Sequence, residues 1–212
     1  MIKSQKVTPL RIRRNQLRLR TRASDMQLAP VRVGVTGVQP VTLDEAKRHV
    51  GAVGFTSDDA DIEGFIKSAT GYLEKLLGTA LVKQSWRQDL SCFPSRFYLT
   101  PFPIISLTSV QYRADDATLP LAAQEFGLYT DMTGPFIQFF SKSLPRTDDR
   151  PDSVQITYES GFEPDQLPAA LKAAILIHVG YLYGHRGQPE MPTIEDIPAY
   201  QMLVWPYRRP GV

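Results

Sequence analysis

Histidines, carboxylates and thiols are the side chains from which acid/base, nucleophilic and metal chemistry is built, and their spacing in this chain builds none of it. The three histidines, His49, His178 and His185, lie far apart, and none belongs to an HExxH motif or a Cys/His pair. The single cysteine, Cys92, rules out an internal disulfide framework or a thiolate zinc cluster and is compatible with a reducing compartment. Asp58, Asp59 and Asp61 form a carboxylate cluster that a divalent ion would accept, but they stand where a helix begins, and acids there complement the helix dipole. A phosphate-cradling GxxxxGKS/T loop, a GxSxG elbow and a GxGxxG turn are all absent. We therefore expect no catalytic residue, no metal and no cofactor.

Two further clusters have the character of binding surfaces. Residues 1–22 hold Lys3, Lys6, Arg11, Arg13, Arg14, Arg18, Arg20 and Arg22 and no acid, which leaves sixteen basic against twenty-two acidic residues elsewhere, a net charge of −6. A basic arm on an acidic body seeks phosphate or an acidic protein surface, and we expect it to be held against its own body or a partner. Ile12, Leu17 and Leu19 interleave the arginines, but no aromatic does, so a nucleic-acid contact through Arg11, Arg13, Arg14, Arg18, Arg20 and Arg22 would be electrostatic and blind to sequence. Near the other end, Tyr200, Trp205, Tyr207, Arg208 and Arg209 have the composition of an interface hot spot. The bland alternative is a tail folded back onto its own core, and the two readings are compatible.

The elements that must position these clusters announce themselves through caps and periodicity. Thr42 and Glu45 make a capping box, so a short first helix starts at Leu43, and Gly51 ends it. Ser57, Asp58 and Asp59 offer capping oxygens to a second helix. In it Ile62, Phe65, Ile66, Ala69, Leu73, Leu76 and Leu77 recur at spacings of three and four until Gly78. A third begins near Pro168, carries Leu171, Ala174, Ile175, His178, Val179 and Leu182 on one stripe, and ends at Gly184 or Gly187. On that stripe His178 is expected to be a satisfied core histidine, and His185 to complement the helix C-terminus.

Between the second and third helices the pattern changes to period two. Strands are expected at 81–90, 96–100, 106–113, 126–130, 136–141 and 153–159, separated by Pro, Gly and Asp clusters. The segment 143–152 reads as a projecting loop. Before the first helix, Val31, Val33 and Val35 alternate like a short strand able to join a sheet edge. The expected fold is α+β: a small helical bundle of two N-terminal helices and one long C-terminal helix, a β-rich insertion at about 81–160, and extended arms at 1–39 and 188–212 flanking a body at 40–187. A chain of 212 residues can bury roughly 70% of its unfolded surface. No apolar run approaches the roughly 20 residues of a membrane helix, and no secretory signal is expected at the N-terminus.

The layout resembles the head-to-tail connector (adaptor, or head-completion) proteins of tailed bacteriophages and gene transfer agents. The segments that carry the resemblance are PVTLDEAKRHV, DDADIEGFIKSATGYLEKLLGTALVKQSW, LPAALKAAILIHVGYLYGHR and IPAYQMLVWPYR. Leu77, Gly78, Thr79 and Ala80 stand where Thr-Gly-Arg-x is usual in that family; the β-rich segment matches only in its pattern of strands and turns, and residues 1–29 are not covered. The resemblance implies a structural virion protein without enzymatic activity, found in the neck between head and tail and assembled in the host cytoplasm. It implies a homo-oligomeric ring, a dodecamer, below the portal protein. Such a ring extends the DNA channel, helps retain packaged double-stranded DNA without sequence-specific binding, and docks stopper or tail-completion proteins. Tyr200, Trp205, Tyr207, Arg208 and Arg209 would then face the portal, with no membrane involved. The alternative is a DNA-binding accessory protein that grips duplex phosphates through the basic arm.

Overall fold

The computed structural model describes residues 27–35, 37–140, 144–163, 165–188 and 192–208. Helix α1 (Leu43–Val50) begins at the expected capping box: the Thr42 backbone N–H donates to Glu45 Oε2 at 3.0 Å, and the Glu45 N–H donates to Thr42 Oγ1 at 3.3 Å. It stops because Gly51 takes a left-handed conformation, φ 73°. Helix α2 (Asp59–Leu77) buries Ile62, Ile66, Ala69, Leu73 and Leu77 along one stripe and ends at left-handed Gly78. Helix α3 (Ala169–Gly184) starts directly after Pro168 and touches α1, α2 and the short helix α4 (Pro198–Val204). The left-handed residue beyond α3 is Gly187, not Gly184. Together these helices enclose one apolar core that includes Val41, Ile62, Leu73, Leu171, Ile175, Val179, Tyr200 and Val204. Lys172 of α3 grips Glu45 of α1 at 2.6 Å, and Lys47 grips Asp59 of α2 at 2.6 Å.

The intervening segment forms a second, separate core between two antiparallel sheets. Strands β1 (Val31–Val35), β2 (Gln84–Leu90), β4 (Ile104–Ala114), β5 (Ala117–Pro120) and β8 (Val154–Ser160) make one sheet in the order β1-β2-β8-β4-β5. Strands β3 (Arg96–Tyr98), β6 (Phe126–Thr130) and β7 (Pro135–Phe139) make the other in the order β3-β7-β6. The central strand β8 pairs from Gln84↔Ser160 to Leu90↔Val154 with β2, and alternates buried Val154, Ile156 and Tyr158 with half-buried residues, as a strand with one covered face must. Those residues share that core with Val110 on the neighbouring strand β4 and with Leu99, Leu121, Ile137 and Phe139.

Where α2 runs into β2 the two cores are tied together by hydrogen bonds. Glu74 Oε1 accepts from the Leu81 N–H at 2.9 Å and from Gln84 Nε2 at 2.8 Å, while Ala80 N–H donates to Phe102 O at 2.6 Å. Gly161, at the end of β8, has φ +120°, and a Cβ there would sit 2.0 Å from Val82 O, so only glycine fits this crossing.

Four details differ from what the sequence predicts. Asp58 precedes α2 but makes no capping hydrogen bond; its carboxylate accepts instead from Tyr183 and Arg186 at the C-terminal end of α3. Strand β5 was hidden because Asp115 and Asp116, at φ 53° and 61°, make a tight turn, and Pro120 argues against a strand except at an edge, which is where β5 lies. Helix α4 is a helix of seven residues between prolines, too short to be read with assurance against them, so the tail reads as extended in sequence. His178 is buried as expected, yet its Nδ1 has no hydrogen-bond partner among the described residues, so it is a packed histidine rather than a satisfied one.

Candidate functional site

The C-terminal segment is built by a sequence of short turns. Thr193 and Asp196 form a reciprocal cap, Thr193 Oγ1 to Asp196 Oδ2 at 2.7 Å, over the 3-10 turn Ile194–Asp196. Pro198 in the first turn then launches α4, where its missing N–H costs nothing, and a second 3-10 turn, Trp205–Tyr207, closes the segment.

Within that segment the aromatic residues divide. Tyr200 is 1% exposed, lies in the helical core beside Val204, and meets the His178 ring edge-on with centroids 5.9 Å apart. Burial pushes its hydroxyl well above the ordinary tyrosine range, and the same cause holds His178 below the ordinary histidine range, so both are neutral there. Tyr207 is half-buried against the same core. Trp205, by contrast, is 71% exposed, and Met202, three residues before it, is 76% exposed. Five residues separate Tyr200 from Trp205, which is about 140° around a helix, so the two rings face different ways.

A polar clasp fixes this orientation. Tyr72 of α2 donates its hydroxyl to Glu195 Oε1, Arg208 Nη2 donates to Glu195 Oε2 at 3.1 Å, and Tyr181 donates its hydroxyl to Pro192 O. Burial, with the Glu195 carboxylate as second cause, raises the Tyr72 hydroxyl to about 12. The Tyr72 hydrogen bond in turn holds Glu195 below the usual carboxylate range. Arg208 Cζ lies 6.0 Å from the centre of the Trp205 ring. The surface presented outward is therefore Met202, Trp205 and the edge of Arg208, held on a folded support and not on a loose tail. Met202 was not among the residues that composition singles out; its signal was the i, i+3 spacing from Trp205.

The remaining candidates fall elsewhere. Arg11, Arg13, Arg14, Arg18, Arg20, Arg22 and Arg209 lie outside the described residues. His185 sits just past α3 with Nδ1 2.8 Å from Tyr181 O, at the helix end where a histidine was expected. Asp58 Oδ2 accepts from the Tyr183 hydroxyl at 2.8 Å and from Arg186 at 3.1 Å, and these bonds hold its carboxyl below the usual range. Asp59 is paired with Lys47, while Asp61 and Glu63 face solvent. Among the described residues no group of three His, Cys, Asp or Glu side chains is placed to hold a metal ion, and no helix is long and apolar enough to cross a membrane.

Between α2 and the inner face of β1 and β2 lies a groove of about 740 Å³, lined by Arg32, Val38, Lys67, Lys75, Trp86 and Phe102 among others. It carries no catalytic constellation.

No protein-family model matches the chain, and no curated protein matches it. Solved structures do. A chain in the neck of an empty gene transfer agent particle, computed with C6 symmetry, superposes with a TM-score of 0.73 at 21% identity, covering 87% of this chain and 97% of that one. A chain in the virion of a native gene transfer agent particle gives 0.71 at 22% identity, and one in the neck of the native particle, computed with C12 symmetry, gives 0.67 at 21%, both with the same coverage. At these identities the likeness is one of fold, and it spans nearly the whole of those chains.

Proposed function

We propose that this chain is a structural protein of the virion neck in a tailed bacteriophage or gene transfer agent. In the finer form of this reading it is the connector, or adaptor, that forms a ring below the portal protein, extends the DNA channel, helps retain the packaged genome and offers a platform to stopper or tail proteins. The observation that carries the reading is the match of fold to neck chains over 97% of their length. An exposed methionine and tryptophan beside an arginine, on a clasped support, is the composition of a protein-binding hot spot, and we assign it to the portal.

Removing the whole tail does not test this assignment, because Tyr200 and Val204 belong to the core and the bundle would open. The suitable variant is Met202→Ala with Trp205→Ala. Binding of the full chain to purified portal should fall by about 30-fold or more, with thermal stability unchanged. Unchanged portal binding by that variant would remove the tail from the interface.

A further inference from the structure

The five-stranded sheet ends in two edges that are unlike each other. At one end β1 pairs only with β2 among the described residues, and at the other β5 pairs only with β4, about 19 Å away at the usual strand spacing. Unpaired strand edges are ordinarily blunted or covered, since they invite another chain.

The two edges carry opposite unpaired charge. Beside β1, Arg32 on the strand and Lys67 and Lys75 on the facing wall of the groove are exposed, and none is paired with a carboxylate among the described residues. The one acid in that wall, Glu74, is engaged by Leu81 and Gln84. Beside β5, the tight turn Asp115–Asp116 is braced by the Asp115 N–H donating to Asp148 Oδ1 at 3.1 Å, which brings the 144–152 loop against it. Asp115, Asp116 and Asp149 are exposed there and make no ion pair among the described residues, while Arg113 and Arg150 are both spent on Asp152; Arg146 is the unpaired cation among the described residues of that loop. Exposed apolar side chains flank both edges, Val31, Val33 and Val38 at the first and Leu119 at the second.

We infer that copies of this chain meet head to tail, with the acidic β5 edge of one copy, through Asp115, Asp116, Asp149 and Leu119, seated on the basic β1 edge and groove of the next. Two different surfaces meeting in this way form a heterologous contact, the kind that closes a ring. The inference deepens the ring reading proposed above and rests on it. Charge complementarity sets the direction of approach and makes the contact sensitive to salt.

The test uses the full chain by analytical ultracentrifugation, alone over a wide concentration range and with purified portal. Lys67→Glu with Lys75→Glu reverses charge at the β1 side. At the β5 side Asp115→Asn and Asp116→Asn remove charge and Asp149→Lys reverses it, asparagine keeping the left-handed turn. Each set alone should weaken self-association at least tenfold, and an equimolar mixture should recover it to within about threefold, because each partner supplies the edge the other lacks. Circular dichroism checks the fold; if the β1 set disturbs it, the exposed single change Lys67→Glu replaces that set, and if the β5 set does, the exposed single change Asp149→Lys replaces it. Variants that associate like the wild type, or a mixture that fails to recover, overturn the pairing. So does loss of association on deleting residues 1–22, which would make the arm the occupant of the groove. A wild-type chain that binds portal but never self-associates, even on portal, overturns the pairing while leaving the neck reading in place.

Discussion

The helical bundle and the β unit dispose of their surfaces in different ways. The bundle closes on itself: α4 lays Tyr200 and Val204 over the same core that α1, α2 and α3 share, and the Tyr72–Glu195–Arg208 clasp holds that cover down. The β unit also has a filled core, but among the described residues its larger sheet ends in two strands, β1 and β5, that each pair on one side only and carry opposite charge. In the bundle, most apolar residues work for folding, and those left exposed include Met202 and Trp205 on the tail and Val53 and Phe55 in the loop between α1 and α2. In the β unit, the periphery is available for neighbours. The comparison separates residues whose loss should unfold the chain from residues whose loss should leave it folded and alone.

The largest effect should come from Tyr200→Ala. It empties a fully covered site, and we expect about 3 kcal/mol or more of lost stability in denaturant unfolding. Five residues on, Trp205→Ala should change stability by no more than about 0.5 kcal/mol in the same measurement, because its ring stands in solvent. Equal losses at the two positions would dissolve the distinction between cover and contact.

A smaller effect belongs to the cap of α1. Thr42→Ala removes the acceptor for the Glu45 N–H and one partner of its carboxylate, and should cost about 1 kcal/mol. Thermal melts read this directly, and self-association should not move.

The smallest effect is in pH dependence. Lys172, together with the Thr42 N–H, holds the Glu45 carboxyl down at about 2 in the folded chain, against an ordinary value of 4.5. A depressed carboxyl stabilises the fold fully above the unfolded value, and that contribution is lost as pH falls from about 4.5 toward 2. Glu45→Gln should therefore flatten the acid limb of the stability curve in that window while leaving the curve above pH 6 parallel to the wild type. His178 adds a second slope of the same sign nearer neutrality: burial lowers its pKa, so below about 6.5 the unfolded chain takes up a proton that the folded chain resists.

How much of the molecule is legible in the chain follows from how far each signal reaches. The α1 and α2 boundaries rest on neighbours three or four positions apart, Thr42 with Glu45, and on the single residues Gly51 and Gly78, so they were legible. The core stripe of α2 was legible for the same reason. Strand existence was visible wherever β-branched and aromatic residues alternate, and β1 was expected to join an edge, as it does. Strand order was not visible, since pairing such as Trp86↔Tyr158 joins residues far apart in the chain. Nor could a local cap at Asp58 be told from an acceptor for Tyr183 and Arg186, more than 120 positions away. In the tail, composition grouped Tyr200, Trp205 and Tyr207 together but could not show that Tyr200 turns into the core and Trp205 into solvent. The spacing Ile197, Tyr200, Val204 is a buried stripe in miniature, and Trp205 falls off that stripe.

The central claim is that this chain is a neck component. A reconstruction of purified particles from the source that encodes it, with and without the gene, tests it most directly. The account predicts a ring of this fold between portal and tail, with Trp205 toward the portal, and particles without the gene that lack the ring and lose their packaged DNA. Complete necks in particles lacking the chain, or its absence from purified virions, would contradict it.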